Sequence, residues 1–296
     1  MTKDRLEGRT AIVTGASRGI GKAIAIAFAA EGAAVAVVAR TEAVWDERLP
    51  GTIHETVDEI EANGGRAIAI PADLADLSDL ERLYEQARAA FGPIDLLVNN
   101  AALTVPGRPP ATGTVDAPAA ERRTPRPPGS TSMGSFLDFP LKGFRRHFDI
   151  GLFASYRLMQ LVLPDMIAAG RGGIVNISSL AAFIPGPGPY TAPGHPAPFA
   201  YGGNKAALHH LSQSVAFEMA PHGIAVNVLS PSEPVSTPGN AIAAGQETNF
   251  ASPEDFAEAT LRLALADPAV VTGQILWSDD VLHPDLGPRG WLRPLP

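Results

Sequence analysis

Short runs of apolar, mostly β-branched residues alternate along the chain with longer segments in which apolar positions recur every three to four residues. The first pattern suits buried strands and the second amphipathic helices. Strands are predicted at Thr10–Thr14, Ala33–Ala39, Arg66–Ile70, Ile94–Val98, Gly173–Ile177, Ile224–Leu229 and Gln274–Trp277. The second, AAVAVVA, is apolar throughout, as expected of a strand covered on both faces. Helices are predicted over Ile20–Ala30, Thr52–Ala62, Leu77–Phe91, Leu141–Ile167, Tyr201–Ala220 and Pro253–Leu265. Regular alternation of this kind predicts a single α/β domain over residues 1–296, with seven parallel strands and helices on both faces.

Two stretches break the pattern. Seven prolines lie between Val105 and Ser130, and six more between Pro185 and Pro198. Proline fixes φ and has no N–H, so neither stretch belongs inside regular structure. We expect loop insertions at 105–135 and 181–200, both near the carboxyl ends of strands, where open α/β sheets bind ligands.

Composition removes several classes of function. The formal net charge of −8 argues against a nucleic-acid-binding face. With no cysteine there is no disulfide, thiolate metal site or cysteine nucleophile. His209 and His210 are adjacent and diverge by about 100° on a helix, and no carboxylate stands at ligand spacing, so no metal is expected. The start, MTKDRLEGRT, lacks an apolar signal segment, and the apolar run from Ala23 to Val38 is broken by Glu31 and Gly32. The expectation is a cytoplasmic protein without a membrane partner.

Thr14-Gly15-Ala16-Ser17-Arg18-Gly19-Ile20-Gly21 joins the first strand to the first helix. Its glycines allow a tight turn and close approach to a pyrophosphate, which the helix N-terminus favours through its free N–H groups and dipole. Further along come Asp73-Leu74, Asn99-Asn100-Ala101, IVNISS ending at Ser179, Tyr201-Gly-Gly-Asn-Lys205 and Asn227-Val-Leu-Ser-Pro231. In this order, and across essentially the whole chain, the set resembles the short-chain dehydrogenase/reductase family. The stretch Arg48-Leu-Pro-Gly-Thr-Ile-His-Glu-Thr and the closing TGQILWSDDVL resemble its hydroxysteroid dehydrogenase-like members.

The resemblance implies a Rossmann-type domain whose Gly15, Ser17, Arg18, Gly19, Ile20 and Gly21 cradle a nicotinamide dinucleotide. It implies further that Asp73, followed by Leu74, holds the adenine, that Asn99 supports the cleft and that Lys205 bonds the nicotinamide ribose. Val235 and Thr237 are the candidates for the carboxamide. Homodimers or homotetramers are usual in the family. At the end of the second strand stands Arg40, where a carboxylate would accept bonds from the ribose of NAD. Arg40 and Arg18 can face a 2′-phosphate, so NADP(H) is the expected cofactor.

Reducing a ketone requires a proton donor as well as a hydride. Tyr201, with an ordinary pKa of about 10, needs help to exchange protons near neutrality, and Lys205 lies one helical turn away on the same face. A pair at this spacing is weak evidence alone, because aromatic–lysine pairs are common on exposed helices. With the glycine loop, and with Ser179 placed to hydrogen-bond the substrate oxygen, it predicts interconversion of a secondary alcohol and a ketone on an apolar small molecule. We expect Lys205 to favour the tyrosinate.

Three departures from the family pattern stand out. Gly151 occupies the place of an asparagine in the central long helix that helps hold a relay water. Ser179 and Tyr201 are 22 residues apart, several more than usual. The usual Pro-Gly after the sixth strand reads Pro231-Ser232, with Thr237 displaced by one. These keep open a cofactor-binding scaffold or redox-sensing protein with weak or no catalysis. Phe183, Ile184, Tyr190 and Phe199 are candidates for an apolar pocket, and Arg122, Arg123 and Arg126 are expected to be solvated.

Overall fold

The computed structural model describes residues 4–103, 136–190, 198–244 and 250–286. The whole of the expected insertion at 105–135, with Arg122, Arg123 and Arg126, lies outside the described residues, as does 191–197 of the second. Seven strands form one parallel sheet: β1 (Thr10–Thr14), β2 (Ala34–Ala39), β3 (Arg66–Pro71), β4 (Leu96–Asn99), β5 (Gly172–Ile177), β6 (Ile224–Ser230) and β7 (Ile275–Trp277). Their order is β3-β2-β1-β4-β5-β6-β7. The chain therefore winds outward from β1 to β3, then crosses back to β4. β1 pairs Ile12 with Ala36 on one side and with Leu97 on the other, so the crevice at the reversal opens between β1 and β4.

Side-chain alternation divides the core between the two faces of the sheet. Ala11, Val13, Val35 and Val37 join Ile24, Phe28, Ile53, Phe256 and Leu261 on one face. Ile12, Ala36, Val38 and Leu97 join Leu80, Leu83, Leu158, Val162 and Met219 on the other. Successive strand residues point to opposite faces, so every strand position from 10 to 14 is buried. The first face carries α1 (Gly19–Ala30), α2 (Ile53–Ala62) and α8 (Pro253–Ala264); the second carries α3 (Leu77–Phe91), α5 (Ala154–Ala169) and α6 (Phe199–Met219). Between α3 and α5 lies α4 (Leu141–Phe148). Two shorter helices, α7 (Pro238–Ala244) and α9 (Ser278–Leu282), complete the set.

The helix starts have local causes. Thr52 Oγ1 accepts from the Glu55 N–H at 3.0 Å and Glu55 returns a carboxylate to the Thr52 N–H at 3.2 Å, a reciprocal cap that starts α2. Ser252 caps α8 in the same region of φ/ψ, accepting from Glu254 and Asp255.

One expectation is corrected. The helix predicted without interruption over Leu141–Ile167 is divided, because residues Asp149–Phe153 form a π-turn between α4 and α5. Glycine at 151 lowers helix propensity there, and a single wide turn accommodates one extra residue. The second helix of that pair runs on to Ala169, where Gly170 adopts φ +63° and ends it.

Candidate active site

Loops following the carboxyl ends of β1 to β6 surround a cavity of about 610 Å³. Gly15, Ser17, Arg18, Gly19, Ile20 and Gly21 form one wall, Arg40, Asp73 and Leu74 the far end, and Val235 and Thr237 the lip. Ser179, Tyr201 and Lys205 stand at the opposite end.

The glycine loop is packed too tightly for side chains. A Cβ at Gly21 would land on the Gly15 carbonyl, 2.8 Å from its carbon. Below the loop, Asn100 donates from Nδ2 to the Thr14 carbonyl at 2.8 Å, and its N–H reaches Thr14 Oγ1 at 3.0 Å. This bare backbone at the start of α1 fits a pyrophosphate, with free N–H groups directed at it.

Beyond the loop, Arg18 donates to Thr41 Oγ1 at 3.2 Å and to the Gly51 carbonyl at 3.1 Å. Burial lowers its pKa, offset in part by Asp46 and Glu55, and its Nε has no hydrogen-bond partner. An orphaned guanidinium N–H beside exposed Arg40 fits a further anionic oxygen. Asp73 accepts from Arg146 at 2.7 Å and from the Ala75 N–H at 3.1 Å. Burial acts to raise its carboxyl, but these bonds, with the fields of Arg146 and Arg40, leave it below the ordinary value.

Of the candidate catalytic and cofactor-binding residues, Asn99 is the one that does not line the cavity; Phe183, Ile184, Tyr190 and Phe199, the candidates for an apolar pocket, do not line it either. Asn99 is buried in the sheet, donating from Nδ2 to Asn176 Oδ1 at 2.8 Å. Asn176 in turn donates to Ser212 Oγ on α6 at 2.8 Å, and Ser212 to the Leu208 carbonyl at 2.6 Å. Sequence reasoning missed Trp45 and Leu49, which line the cavity between β2 and α2, and gave no individual role to Asn100. An aromatic residue isolated in a strand-to-helix loop was the available signal for Trp45.

Ser179 caps a short turn at Leu180–Ala182, its Oγ accepting from the Ala181 N–H at 3.2 Å. It lines the cavity together with Tyr201, whose phenol pKa its hydroxyl acts to lower. Lys205, only 1% exposed, donates to the Ile177 carbonyl at 2.6 Å and lies 5.8 Å from the centre of the Tyr201 ring. Burial lowers Lys205 to about 8. Burial raises the Tyr201 phenol, with the Ser179 hydroxyl opposing. The expected lowering of Tyr201 is therefore not the balance within the protein alone: desolvation outweighs the Ser179 hydroxyl, and the Lys205 ammonium is turned toward the strand carbonyl.

The two adjacent histidines have different surroundings. His210 is exposed, whereas His209 is buried and shares a 2.6 Å hydrogen bond with Ser178, the neighbour of Ser179. Burial, then the charge of Lys205, lowers His209 to about 4, so its imidazole is neutral near pH 7. Phe183 packs on both His209 and Trp277, while Ile184 and Tyr190 are exposed. Phe199, two residues before Tyr201 on α6, packs edge-on against Phe136 and Phe139.

A parallel doubly wound sheet with a phosphate-fitting loop, a buried lysine and a hydroxyl pair defines a nicotinamide-dependent oxidoreductase of Rossmann type. The short chain dehydrogenase model matches residues 9–246, and the chain belongs to that family. It is 32% identical over 282 residues to a 7alpha-hydroxysteroid dehydrogenase of Escherichia coli (strain K12), covering 92% of this chain and 93% of that protein. Over 294 residues it is 32% identical to an L-rhamnose 1-dehydrogenase (NAD(P)(+)) of Sphingomonas sp. (strain SKA58), covering 95% and 98%. Its fold is similar to a solved 7 alpha-hydroxysteroid dehydrogenase complexed with NADH and 7-oxo glycochenodeoxycholic acid, with TM-score 0.70 and 31% identity over 92% of this chain and 93% of that one. Among the described residues, no helix is long and apolar enough to cross a membrane.

Proposed function

We propose that this protein is an NADP(H)-dependent enzyme that interconverts a secondary alcohol and a ketone on a bulky, apolar small molecule. The observation that carries this reading is the buried Lys205 one helical turn from Tyr201, with Ser179 lining the same cavity, at the end away from Arg18 and Arg40. A bound nicotinamide supplies or accepts the hydride.

In the reducing direction the Tyr201 hydroxyl donates its proton to the carbonyl oxygen while Ser179 donates a hydrogen bond to the same atom. Lys205 stabilises the phenolate that remains, and reversal of these roles serves oxidation. A pKa of Lys205 near 8 keeps its ammonium populated at neutral pH, yet close to releasing a proton. Arg18, held by Thr41 and Gly51, and Arg40 would grip the 2′-phosphate, each charge-assisted bond giving roughly ten- to a hundred-fold in affinity.

Leu103, Ile150 and Leu180 in the cavity, with the Phe136–Phe139–Phe199 cluster near its catalytic end, support an apolar substrate. The 7-oxo glycochenodeoxycholic acid held by the solved relative is in keeping with a bulky apolar ligand. Exposed Phe153, Tyr156 and Phe217 support self-association into dimers or tetramers.

The test is cofactor oxidation across a panel of ketones, diketones and aldehydes, with NADH in parallel and Tyr201→Phe as control. Turnover that prefers NADPH and disappears in Tyr201→Phe is expected. Tight NADPH binding with no turnover would favour a cofactor-binding scaffold instead.

A further inference from the structure

Asn204 lies three residues after Tyr201 and one before Lys205, so its side chain leaves α6 beside the face that carries both. It is 1% exposed. Its amide orientation is set by its neighbours: Nδ2 donates to the Ala200 carbonyl at 3.2 Å and to the Tyr201 carbonyl at 2.9 Å. Carbonyl oxygens only accept, so turning the carboxamide round would set oxygen against oxygen. Asn204 Oδ1 therefore points away from these two carbonyls, and it has no hydrogen-bond partner.

Opposite Oδ1 stands the π-turn. A Cβ at Gly151 would land on Asn204 Oδ1 and come within 3.0 Å of Cγ. The Gly151 carbonyl is itself engaged, accepting from Ser155 Oγ at 3.1 Å. One slot between two helices is thus shared by a glycine on one side and an asparagine on the other. Alanine at 204 would fill the helix face without burying an unpaired oxygen, so packing alone gives no reason for a carboxamide.

We propose that Asn204 is a positioning residue for the Tyr201–Lys205 pair, delivering from α6 the carboxamide that Gly151 does not deliver from the central helix. Nδ2 holds the backbone at Tyr201. Oδ1, without a partner among the described residues, is left as an acceptor beside the pair. Lys205 has three N–H groups, and the Ile177 carbonyl takes one of them. An acceptor on that side favours the ammonium, and the ammonium favours the tyrosinate. The inference rests on reading the site as a carbonyl-reducing centre, but its first measurement does not require turnover.

That measurement is the ionisation of Tyr201, followed by tyrosinate absorbance as the difference between each protein and its Tyr201→Phe counterpart. Asn204→Ala should move the ionisation up by about one pH unit. It should lower kcat about tenfold, shift the basic limb of the kcat profile in the same direction and leave the KM for cofactor unchanged. The double variant Gly151→Asn/Asn204→Ala, which returns the carboxamide from the other helix, should recover at least half of each shift on a logarithmic scale.

An unchanged ionisation and pH profile in folded Asn204→Ala would overturn the proposal. So would a double variant that behaves like Asn204→Ala alone, since the role would then be packing on α6. Thermal melting establishes folding, and Asn204→Ser carries the same test if the alanine variant does not fold. Absence of turnover in the unaltered protein would count against the proposed function, while the titration would still decide the role of Asn204.

Discussion

The two ends of the cavity are built in different ways. At the glycine-loop end, contacts are made by bare backbone and by a half-buried guanidinium: Gly15 with Gly21, and Arg18 with Thr41 and Gly51. At the catalytic end, the chemistry depends on burial by distant segments. Lys205 is enclosed against Ile177, Ser179 and Tyr201 line the same cavity, and Asn204 packs on Gly151. The first end is a binding surface that tolerates water. The second is a place where proton affinities are set by exclusion of water.

That contrast can be broken most sharply at Tyr201. Tyr201→Phe removes the proposed proton donor and leaves the proposed phosphate-binding wall intact. It should lower kcat by about 10²- to 10⁴-fold with cofactor affinity unchanged, as steady-state rates and equilibrium binding will show. A parallel loss of cofactor binding would mean that the two ends are not separable.

Arg40→Ala tests the other end. It should weaken NADPH by roughly ten- to a hundred-fold while leaving NADH nearly unchanged, measured as a ratio of dissociation constants. Equal weakening of both cofactors would remove the 2′-phosphate assignment. Gly21→Ala sharpens the role of the bare backbone. The added methyl must displace the Gly15 carbonyl, so unfolding free energy should fall by about 1–3 kcal/mol, with cofactor binding lost alongside.

The smallest effect concerns His209. Its folded pKa of about 4 lies below the unfolded value of 6.5, so the unfolded chain binds the extra proton between those pH values. Stability should therefore decline as pH falls from 6.5 to 4, by at most about 1.4 kcal/mol per pH unit for one proton. His209→Gln should flatten that window in a series of thermal melts. An identical slope in the variant would show that other groups govern the acid limb.

The same division explains what the sequence made legible. Strand positions, the glycine loop and the order of the motifs follow from local periodicity and turn chemistry, and β1 and α3 fall where the pattern places them. The division of the Leu141–Ile167 segment did not show, because its apolar spacing continues through 149–153 and a π-turn adds only one residue. Trp45 and Leu49 gave no periodic signal in a loop between β2 and α2. The direction of the Tyr201 shift depended on how completely the cleft encloses the phenol, which spacing cannot report. Gly151 was visible as a departure, but its counterpart at 204 became apparent only when the two helices were brought together.

The line of bonds from Asn99 through Asn176 to Ser212 has a mechanical consequence. It runs crosswise from the middle of the sheet into α6, about two turns beyond Lys205. Sliding α6 along the sheet by one residue would strand the Asn176 amide and the Ser212 hydroxyl together, so the sheet acts as a ruler for the helix. The place of Tyr201 and Lys205 along the sheet is then fixed by the same bonds. Substrates of different bulk must be accommodated by the rim of the cavity, while the spacing at its floor stays the same.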